Sequence, residues 1–405
     1  MRLALIVDDY LPHSTRVGAN MMHELAKELL LQGHQVTVIT PKVGVDSSSF
    51  QSESLDGVVV WRFQSGPLKD VAKVTRVINE SLLSLNAWRA IARRVKKDTF
   101  EGIVYYSPSI FFGPLVEKLK KRCNCKSYLV LRDFFPQWAV DSGLIKKNSL
   151  IERYFKFFEA VTYNNADIIG VMSHRNMAIF NEKTDYRYRV SILRNWASLE
   201  PHQVIGSTNN LRQRLGLKDE VIYFYGGNIG HAQDMKNLMR LVRSMQKYSN
   251  AHFLFVGQGD EVPLINDLAA EWELGNFSYL SSVSQDEYRD ILAQVDIGLF
   301  SLSAKHTAHN FPGKLLGYMV QSLPILGSVN QDNDLIDLVA DNTTGFISVN
   351  GDDGSFLANA VKLYDSLDLR RKCGLAGYNL LSREFAVSSI ALAISESLET
   401  VNECL

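Results

Sequence analysis

A lysine near the start of a short predicted helix is the residue of this chain best placed for chemistry on an anion. Pro312 and Gly313 open the helix and Lys314 follows in its first turn, between predicted strands at 295–300 and 323–326. Proline is favoured at the first helical turn, and the backbone N–H groups there attract anions. We therefore expect a cation and several amides to converge on a phosphate at the carboxyl edge of a sheet. A merely solvated lysine is the alternative.

Two glycine-rich turns in the same half of the chain favour the phosphate site. Residues 226–231 read Gly-Gly-Asn-Ile-Gly-His after a predicted strand at 221–225, and residues 257–260 read Gly-Gln-Gly-Asp after one at 252–256. Glycine lets a ligand approach the backbone closely after a strand. Each turn alone is a weak signal. Two of them together with Pro312, Gly313 and Lys314 predict a nucleotide-binding domain.

A charged pair marks a second candidate site in the first half. Arg132 and Asp133 directly follow a predicted strand at 127–131. The carboxyl ends of parallel strands are where open α/β sheets bind their ligands. We expect Arg132 to bind a phosphate and Asp133 to orient an acceptor hydroxyl or accept its proton, although the two side chains could simply pair with each other.

The order of predicted elements places these residues on two α/β domains. Strands alternate with helices over residues 1–195, and the alternation restarts after a segment rich in Ser, Asn, Gly and Pro. Such alternation predicts parallel sheets with helices on both faces. We predict a first domain at 1–195, a linker at 196–210, a second domain at 211–383, and a final helix at 384–405 that packs back toward the first domain. The two doubly wound domains would face each other across a cleft, the second holding the nucleotide and the first the other substrate.

Charge is distributed unevenly between the halves. Residues 1–200 carry 28 Lys and Arg against 20 Asp and Glu, whereas residues 201–405 carry 15 against 24. This asymmetry suggests that the first half faces an anionic membrane or a phosphorylated substrate, or only that the two lobes differ. A long amphipathic stretch at 69–97 interleaves apolar residues with Lys and Arg. It fits either a core stripe with a solvated face or a surface that touches anionic lipid.

Composition and cysteine spacing indicate the cellular compartment of the protein. The chain of 405 residues is 46% hydrophobic and 21% charged, has no uninterrupted apolar run long enough to span a membrane, and begins with a short strand-like run instead of a signal peptide. Its four cysteines form neither a metal-ligand spacing nor a disulfide framework. We therefore expect a cytoplasmic protein.

Several enzyme classes lack their signatures here. The sequence has no Gly-x-Gly-x-x-Gly dinucleotide turn, no P-loop, no His, Asp and Glu set with metal spacing, and no convincing Gly-x-Ser-x-Gly elbow. Transfer of a group from a nucleoside diphosphate is the most economical reaction that remains. We expect no metal and no resident cofactor.

Eight segments in register resemble the retaining glycosyltransferases of family four, which have the GT-B architecture. They are the Gly18 loop with its helix through 33–38, and residues 132–136, 166–173, 190–196, 225–230, 256–259, 295–299 and 305–327. The variants Arg-Asp-Phe-Phe-Pro at 132–136 and Phe-Pro-Gly-Lys at 311–314 are most similar to bacterial N-acetyl-L-fucosaminyltransferases of O-antigen and capsule assembly.

This resemblance implies a donor, an acceptor and a set of contact residues. The donor would be a UDP-sugar, and the acceptor a sugar on an undecaprenyl diphosphate carrier at the inner face of the cytoplasmic membrane, with no role for nucleic acid. The catalytic residues would be Arg132, Asp133, His309 and Lys314. The donor would be bound by the following residues: Gly18, Asn228, Gly230, Gln233, Gly257, Gln258, Phe311, Pro312, Gly313, Lys314 and Leu315.

The chain departs from the family pattern at several of these positions. His309 and Gly317 stand where the family has two glutamates, and Asn228 and Gln233 stand where it has an arginine and a lysine. Arg132 stands where a catalytic histidine is often found. The missing glutamates keep two alternatives open, which are a UDP-sugar 2-epimerase of GT-B architecture and a non-catalytic nucleotide-sugar-binding protein.

Overall fold

The computed structural model describes residues 1–14, 16–43, 49–68, 71–107, 109–141, 143–204, 210–304, 312–331 and 333–403. The chain divides into two compact units. The first comprises Met1–Trp196 together with Val387–Leu405, and the second comprises Ala197–Ala386. Each unit is considered by itself.

The first unit is a sheet covered by helices. Its strands are β1 (Arg2–Ile6), β2 (Gln35–Val43), β3 (Phe50–Leu55), β4 (Val58–Ser65), β5 (Gly102–Ser107), β6 (Lys126–Leu131), β7 (Ile168–Val171) and β8 (Val190–Ile192). Its helices are α1 (Val17–Leu31), α2 (Lys73–Ser81), α3 (Leu83–Ile91), α4 (Gly113–Cys123), α5 (Gln137–Asp141), α6 (Leu150–Asn164), α7 (His174–Lys183) and, from the end of the chain, α16 (Val387–Glu403).

The strand order of this sheet is β3-β4-β2-β1-β5-β6-β7-β8. Every pairing is parallel except that of β3 with β4, which is antiparallel. The order runs outward in opposite directions from β1 and β5. Parallel sheets of this kind bind ligands outside the carboxyl ends of their strands at such a reversal. Three side chains lie at this edge: Asp8 comes after β1, Tyr106 lies near the end of β5, and Arg132 directly follows β6.

The second unit is a six-stranded parallel sheet. Its strands are β9 (Val221–Asn228), β10 (Ala251–Gln258), β11 (Phe277–Leu280), β12 (Ile297–Ser301), β13 (Ile325–Val329) and β14 (Gly345–Val349). Its helices are α8 (Leu211–Leu215), α9 (Met235–Ser244), α10 (Val262–Glu271), α11 (Gln285–Leu292), α12 (Gly313–Val320), α13 (Asp334–Asp341), α14 (Asp353–Asp365) and α15 (Leu367–Glu384).

The strand order of the second sheet, β11-β10-β9-β12-β13-β14, is that of a dinucleotide-type doubly wound domain. Its reversal lies between β9 and β12. The central strands are apolar on both faces because helices cover both, and Tyr223, Phe253 and Leu299 are fully inaccessible to solvent. The predicted α/β class with two doubly wound domains is therefore confirmed.

The amphipathic stretch predicted over 69–97 is two helices, α2 and α3, which meet at Leu82. Only part of its apolar stripe is core, since Ile91 and Val95 are buried whereas Val74 and Ile78 are exposed. The interpretation of the whole stripe as core is therefore wrong for α2. Periodicity cannot distinguish a helix face that meets the core from one that meets solvent.

The chain crosses between the units at two neighbouring points. Trp196 is buried in the first core and donates a hydrogen bond from Nε1 to the Met21 carbonyl at 2.8 Å. Ala197 pairs with Ala386 in a short parallel bridge of the second unit. Helix α16 then returns to the first unit, where Ile394 and Leu398 are fully buried.

Candidate active site

In the second unit, the candidate site lies at the reversal of strand order. Strand β9 ends in the turn at 226–230, and the chain after β12 leads to α12. Residues 305–311, which include the predicted site residues His309 and Phe311, lie outside the part of the chain that the structure describes. The described side of this site is therefore built from β9, β10 and α12.

Lys314 projects from α12 over an aromatic ring of β9. Its ammonium nitrogen lies 3.6 Å from the centroid of the Tyr225 ring and 3.8 Å from the place where a Cβ of Gly227 would stand. Among the described residues, no carboxylate lies within 4.0 Å of this nitrogen. Burial lowers the pKa of Lys314 to about 7. The arrangement therefore holds a partly buried ammonium group with an aromatic face as its only described partner.

The amides that open α12 precede its first backbone hydrogen bond. The N–H of Leu315 donates to the Pro312 carbonyl at 3.0 Å, and no side chain of the described residues caps the helix. The N–H groups of Gly313 and Lys314 come before this bond and belong to the unsatisfied first turn. The Leu315 side chain is fully buried in the core, so its side chain is structural. Gly313 and Lys314 thus supply amides and a charge at one helix end.

The two glycine-rich turns pack backbone to backbone. Gly227 of β9 is paired with Gly257 of β10, and Gly257 has a φ of +154°. A Cβ on Gly257 would lie 1.8 Å from the Gly227 carbonyl oxygen, a distance that no real side chain could adopt. Gly257 therefore keeps the turns together, whereas Gly227 keeps the space beside the Lys314 ammonium open.

Asn228, Gly230 and Gln233 form a polar rim on the first turn. The Asn228 amide nitrogen donates to Gln233 Oε1 at 2.8 Å. A Cβ on Gly230 would lie 2.8 Å from that same nitrogen and 2.7 Å from Asp260 Oδ1. The structure thus brings these three predicted residues together with Asp260. Gln258, at the end of β10, is exposed beside them.

A histidine in this turn was missed by the sequence reasoning. His231 Nδ1 lies 2.7 Å from Glu261 Oε1, and its Nε2 lies 3.3 Å from Asp260 Oδ2. The hydrogen bond with Glu261, followed by the charge of Asp260, raises the pKa of His231 above its ordinary value. His231 directly follows Gly230 in the glycine-rich turn, and this position in the sequence could have indicated it as a site residue. Asp260 is the more exposed of the two carboxylates and is an acceptor suited to a sugar hydroxyl, whereas Glu261 also accepts from the Met235 amide.

In the first unit, Gly18 and Asp133 lie around the side chain of Tyr106. A Cβ on Gly18 would lie 3.2 Å from the Tyr106 hydroxyl oxygen. Burial raises the pKa of Tyr106 to about 12, against the opposing effect of the Arg132 charge, and the charges of Asp8 and Asp133 raise it further. The residues at the carboxyl ends of β1, β5 and β6 are therefore electrostatic neighbours.

Arg132 is buried, and its terminal nitrogens bind the backbone. Nη1 donates to the Leu193 carbonyl at 2.6 Å and Nη2 donates to the Arg194 carbonyl at 3.1 Å. The guanidinium also lies 5.1 Å from the centroid of the Trp196 ring, while Nε finds no hydrogen-bond partner among the described residues. Burial lowers the pKa of Arg132 to about 10. In this structure Arg132 fixes the segment that follows β8.

Asp133 is only partly buried, and no described residue donates a hydrogen bond to its carboxylate. Burial raises the pKa of Asp133, and the charge of Arg132 partly offsets this rise. The two aromatic residues that follow Asp133 anchor its loop. Phe134 stacks on Phe180, and Phe135 packs edge-on against Phe155. The loop held by these ring contacts thus presents a carboxylate whose pKa is raised by burial.

The described residues contain no group of three or more His, Cys, Asp and Glu side chains that could hold a metal ion. Within the same residues, no helix is both long enough and apolar enough to cross a bilayer.

Comparison with known proteins finds similarity to glycosyltransferases. Residues 219–366 match a family model described as "Glycosyl transferases group 1". The chain is also similar to a probable glycosyltransferase, WbjE, of Pseudomonas aeruginosa, with 24% identity over 229 residues. That match spans 56% of this chain and 57% of the relative, so it covers little more than half of either protein.

Solved structures share the fold over nearly the whole chain. Sucrose-phosphate synthase from Thermosynechococcus elongatus has a TM-score of 0.73 at 16% identity, with both chains covered completely. WaaG, a glycosyltransferase involved in lipopolysaccharide biosynthesis, has a TM-score of 0.64 at 14% identity, with 98% of this chain and 99% of that chain covered. HepE of Anabaena, solved with UDP-glucose, has a TM-score of 0.67 at 13% identity, with 99% and 100% covered. The fold is thus that of the GT-B glycosyltransferases.

Proposed function

We propose that this protein is a retaining glycosyltransferase. It would move an N-acetylated amino sugar, with N-acetyl-L-fucosamine as the first candidate, from a UDP-sugar to a sugar on an undecaprenyl diphosphate carrier. The reaction would serve O-antigen or capsule assembly at the inner face of the cytoplasmic membrane. The sugar, the acceptor and the retention of configuration are proposed from the sequence resemblance. Glycosyl transfer itself is supported by the match of residues 219–366 to a glycosyltransferase family.

The observation that carries the proposal is the position of Lys314 over Tyr225 at the reversal of strand order. An ammonium group without a described carboxylate partner is electrostatically incomplete, and a diphosphate would complete it. Departure of UDP concentrates negative charge on that diphosphate as the glycosidic bond breaks. Lys314 and the amides of Gly313 and Lys314 would stabilise this charge, and such stabilisation is usually the largest contribution of a site of this kind.

UDP is the favoured nucleotide because of what structural relatives bind. HepE was solved with UDP-glucose, and trehalose-6-phosphate synthase of E. coli was solved with UDP-2-fluoro glucose. Hydrogen bonds from Asn228 and Gln233 would replace the cations that the family pattern has in this turn. Their amides bind a phosphate less strongly than charged groups do, since charge-assisted hydrogen bonds are about twice as strong. Lys314 would therefore bear most of the diphosphate charge.

Asp133 is the group we propose for the acceptor. Its raised proton affinity suits it to orient the acceptor hydroxyl or to accept its proton as the new bond forms. Arg132 would act by holding the loop and the segment after β8 in place. In the second unit, the remaining described residues of the donor site would be Asn228, Gln233 and Gly313.

Incubation of the purified protein with a panel of UDP-sugars tests the proposal. We expect the donor to be consumed only when an undecaprenyl-diphosphate-linked sugar is present, and the product to retain the anomeric configuration. Isomerisation of the donor without acceptor would instead identify an epimerase. A donor that binds but remains unchanged with every acceptor would identify a binding protein.

A further inference from the structure

One face of α6 is apolar and exposed to solvent. Leu150, Ile151, Tyr154 and Phe157 expose 81%, 60%, 39% and 62% of their surface. Their spacing of one, three and three residues places them on a single stripe of the helix. The neighbouring Phe155 is buried and packs into the unit instead. The exposed stripe is thus a second apolar face on a helix whose core-facing side is already occupied.

A similar stripe on α2 lies next to it. Val74 and Ile78 expose 72% and 54% of their surface. The two helices are joined by the Tyr154 hydroxyl, which donates to Ser81 Oγ at 2.5 Å. We define the docking surface as the exposed apolar residues of these two helices, which are Val74, Ile78, Leu150, Ile151, Tyr154 and Phe157. Single exposed apolar residues are ordinary, but a joined set of this kind marks an interaction surface.

Basic side chains border the docking surface. Lys146 and Lys147 lie in the turn before α6, Arg153 lies on α6, and all three are exposed. Among the described residues, none of the three has a carboxylate within 4.0 Å. In contrast, Glu152 is buried and forms an ion pair with Lys156 at 2.7 Å, so its charge is compensated. The border of the apolar surface is therefore positively charged.

The docking surface is one aromatic layer away from the loop that carries Asp133. The Phe135 ring lies 4.9 Å from the Phe155 ring, centroid to centroid, and Phe155 follows Tyr154 on α6. Val77 of α2 packs against the same aromatic cluster. A partner on this surface would thus be close to the loop that we assign to the acceptor.

We propose that the docking surface inserts its apolar side chains into the interface of an anionic lipid bilayer while the basic border contacts lipid phosphates. A bilayer is favoured over a protein partner because exposed apolar side chains bordered by Lys146, Lys147 and Arg153 match the acyl and phosphate layers of an anionic membrane. This inference deepens the proposed function, because a lipid-linked acceptor would then be delivered beside Asp133.

Sedimentation with vesicles tests the inference without any transfer reaction. The full-length protein is mixed with vesicles of phosphatidylcholine alone or of phosphatidylcholine with phosphatidylglycerol, and UDP binding is measured on the same samples. We expect sedimentation with the anionic vesicles, weakened by salt. The double variants Ile151→Ser with Phe157→Ser, and Lys146→Glu with Lys147→Glu, should each lower the partition coefficient by about tenfold or more.

Matched controls change the same chemistry elsewhere. Leu31→Ser with Leu375→Ser removes two exposed apolar side chains, and Lys218→Glu with Lys247→Glu reverses two exposed charges. We expect both controls to partition like the unchanged protein, and all variants to keep its melting temperature.

Two results would overturn the inference. One is a protein that binds UDP yet stays in the supernatant with anionic vesicles. The other is a dimer in solution that the Ile151→Ser and Phe157→Ser changes convert to a monomer, since a second copy would then occupy the surface. Loss of UDP binding with sedimentation intact would instead count against the proposed donor site alone.

Discussion

The ammonium nitrogen of Lys314 lies 3.6 Å above the ring of Tyr225, and the two residues come from elements on either side of the reversal in strand order. The aromatic face attracts the cation, but burial still lowers the pKa of Lys314 to about 7. Tyr225 in turn donates from its hydroxyl to the Asn228 carbonyl at 2.5 Å, which fixes the ring beneath the lysine. The charge is thus positioned in advance at the place where we propose that the diphosphate binds.

Replacement of Lys314 by methionine tests its role in catalysis. The change keeps an apolar chain of similar length over Tyr225 and removes the charge. We expect turnover to fall by about 10²–10³-fold, the usual effect of removing one preorganised electrostatic donor, together with weaker binding of UDP. Steady-state kinetics and calorimetry measure the two effects. Lys247→Met, at an exposed position of the same unit, is the matched control, and near-normal turnover in the Lys314 variant would refute the assignment.

The lowered pKa of Lys314 predicts that UDP binding depends on pH. In the unliganded protein the amine loses its proton as pH rises above about 7, and a bound diphosphate would raise its pKa again. Binding above that pH should therefore take up a proton and weaken as pH increases. Calorimetry in buffers of different ionisation enthalpy measures the uptake. Lys314→Arg keeps its charge and should show no such uptake, so uptake that persists in this variant would assign the proton to another group.

The lowered pKa of Lys314 also determines how the free energy of unfolding changes with pH. The unfolded chain binds the lysine proton up to its ordinary pKa, whereas the folded chain releases it above about 7. Between these values the unfolded state binds more protons, so the contribution of this residue to the free energy of unfolding rises with pH. Denaturant titrations should show a smaller pH dependence in Lys314→Met than in the unchanged protein over this interval.

Asp133→Asn separates a catalytic carboxylate from a structural one. Burial raises the pKa of Asp133, so the folded protein holds this charge at a cost to stability. We expect the asparagine variant to melt at the same or a higher temperature, to bind UDP normally, and to lose at least about 10²-fold in turnover, the usual scale of acid–base catalysis. Asp98→Asn, at an exposed position, is the control. Unchanged turnover would remove Asp133 from the mechanism.

The sheets could be predicted from the sequence because each central strand is a short apolar run ended by a turn signal. Predicted strands at 127–131 and 252–256 correspond to β6 and β10. The strand that escaped prediction is β3, whose sequence Phe-Gln-Ser-Glu-Ser-Leu is mostly polar because it is half-exposed beside β4. Local composition is weak evidence for such a strand, since its pairing partner stabilises it.

The site could be predicted only in part, because side-chain partners depend on tertiary packing. Lys314 and Gly227 meet at the reversal, as placement at strand ends suggests. In contrast, the commitment of Arg132 to the Leu193 and Arg194 carbonyls requires β6 and the end of β8 to approach each other, which no local pattern reveals. Gly317 faces Leu292, where a Cβ would stand 3.2 Å from its Cδ2, so a glutamate there would press on the core.

Arg132→Met distinguishes a backbone clamp from a phosphate ligand. If Arg132 serves the backbone, its removal leaves the Leu193 and Arg194 carbonyls without their donor. We expect the free energy of unfolding to fall by about 3 kcal/mol, since each unsatisfied buried polar group costs about 1–3 kcal/mol. Chemical denaturation measures this loss, with Arg93→Met at an exposed position as the control. A variant of normal stability but weakened substrate binding would favour the phosphate-binding role predicted from the sequence.

Gly257→Ala tests the packing of the two glycine-rich turns. The added methyl group would stand 1.8 Å from the Gly227 carbonyl oxygen, at a residue whose φ of +154° already disfavours a side chain. Because the clashing atoms belong to the Gly227 backbone, they cannot rotate away and the two turns must separate. We expect the free energy of unfolding to fall by about 3 kcal/mol or more, together with weaker UDP binding. Gly275→Ala is the matched control, since a Cβ there would meet no atom of the described residues within 4 Å. Equal stability of the two variants would show that the turns tolerate separation. The close packing of Gly257 on Gly227 would then not be needed to form the space beside Lys314.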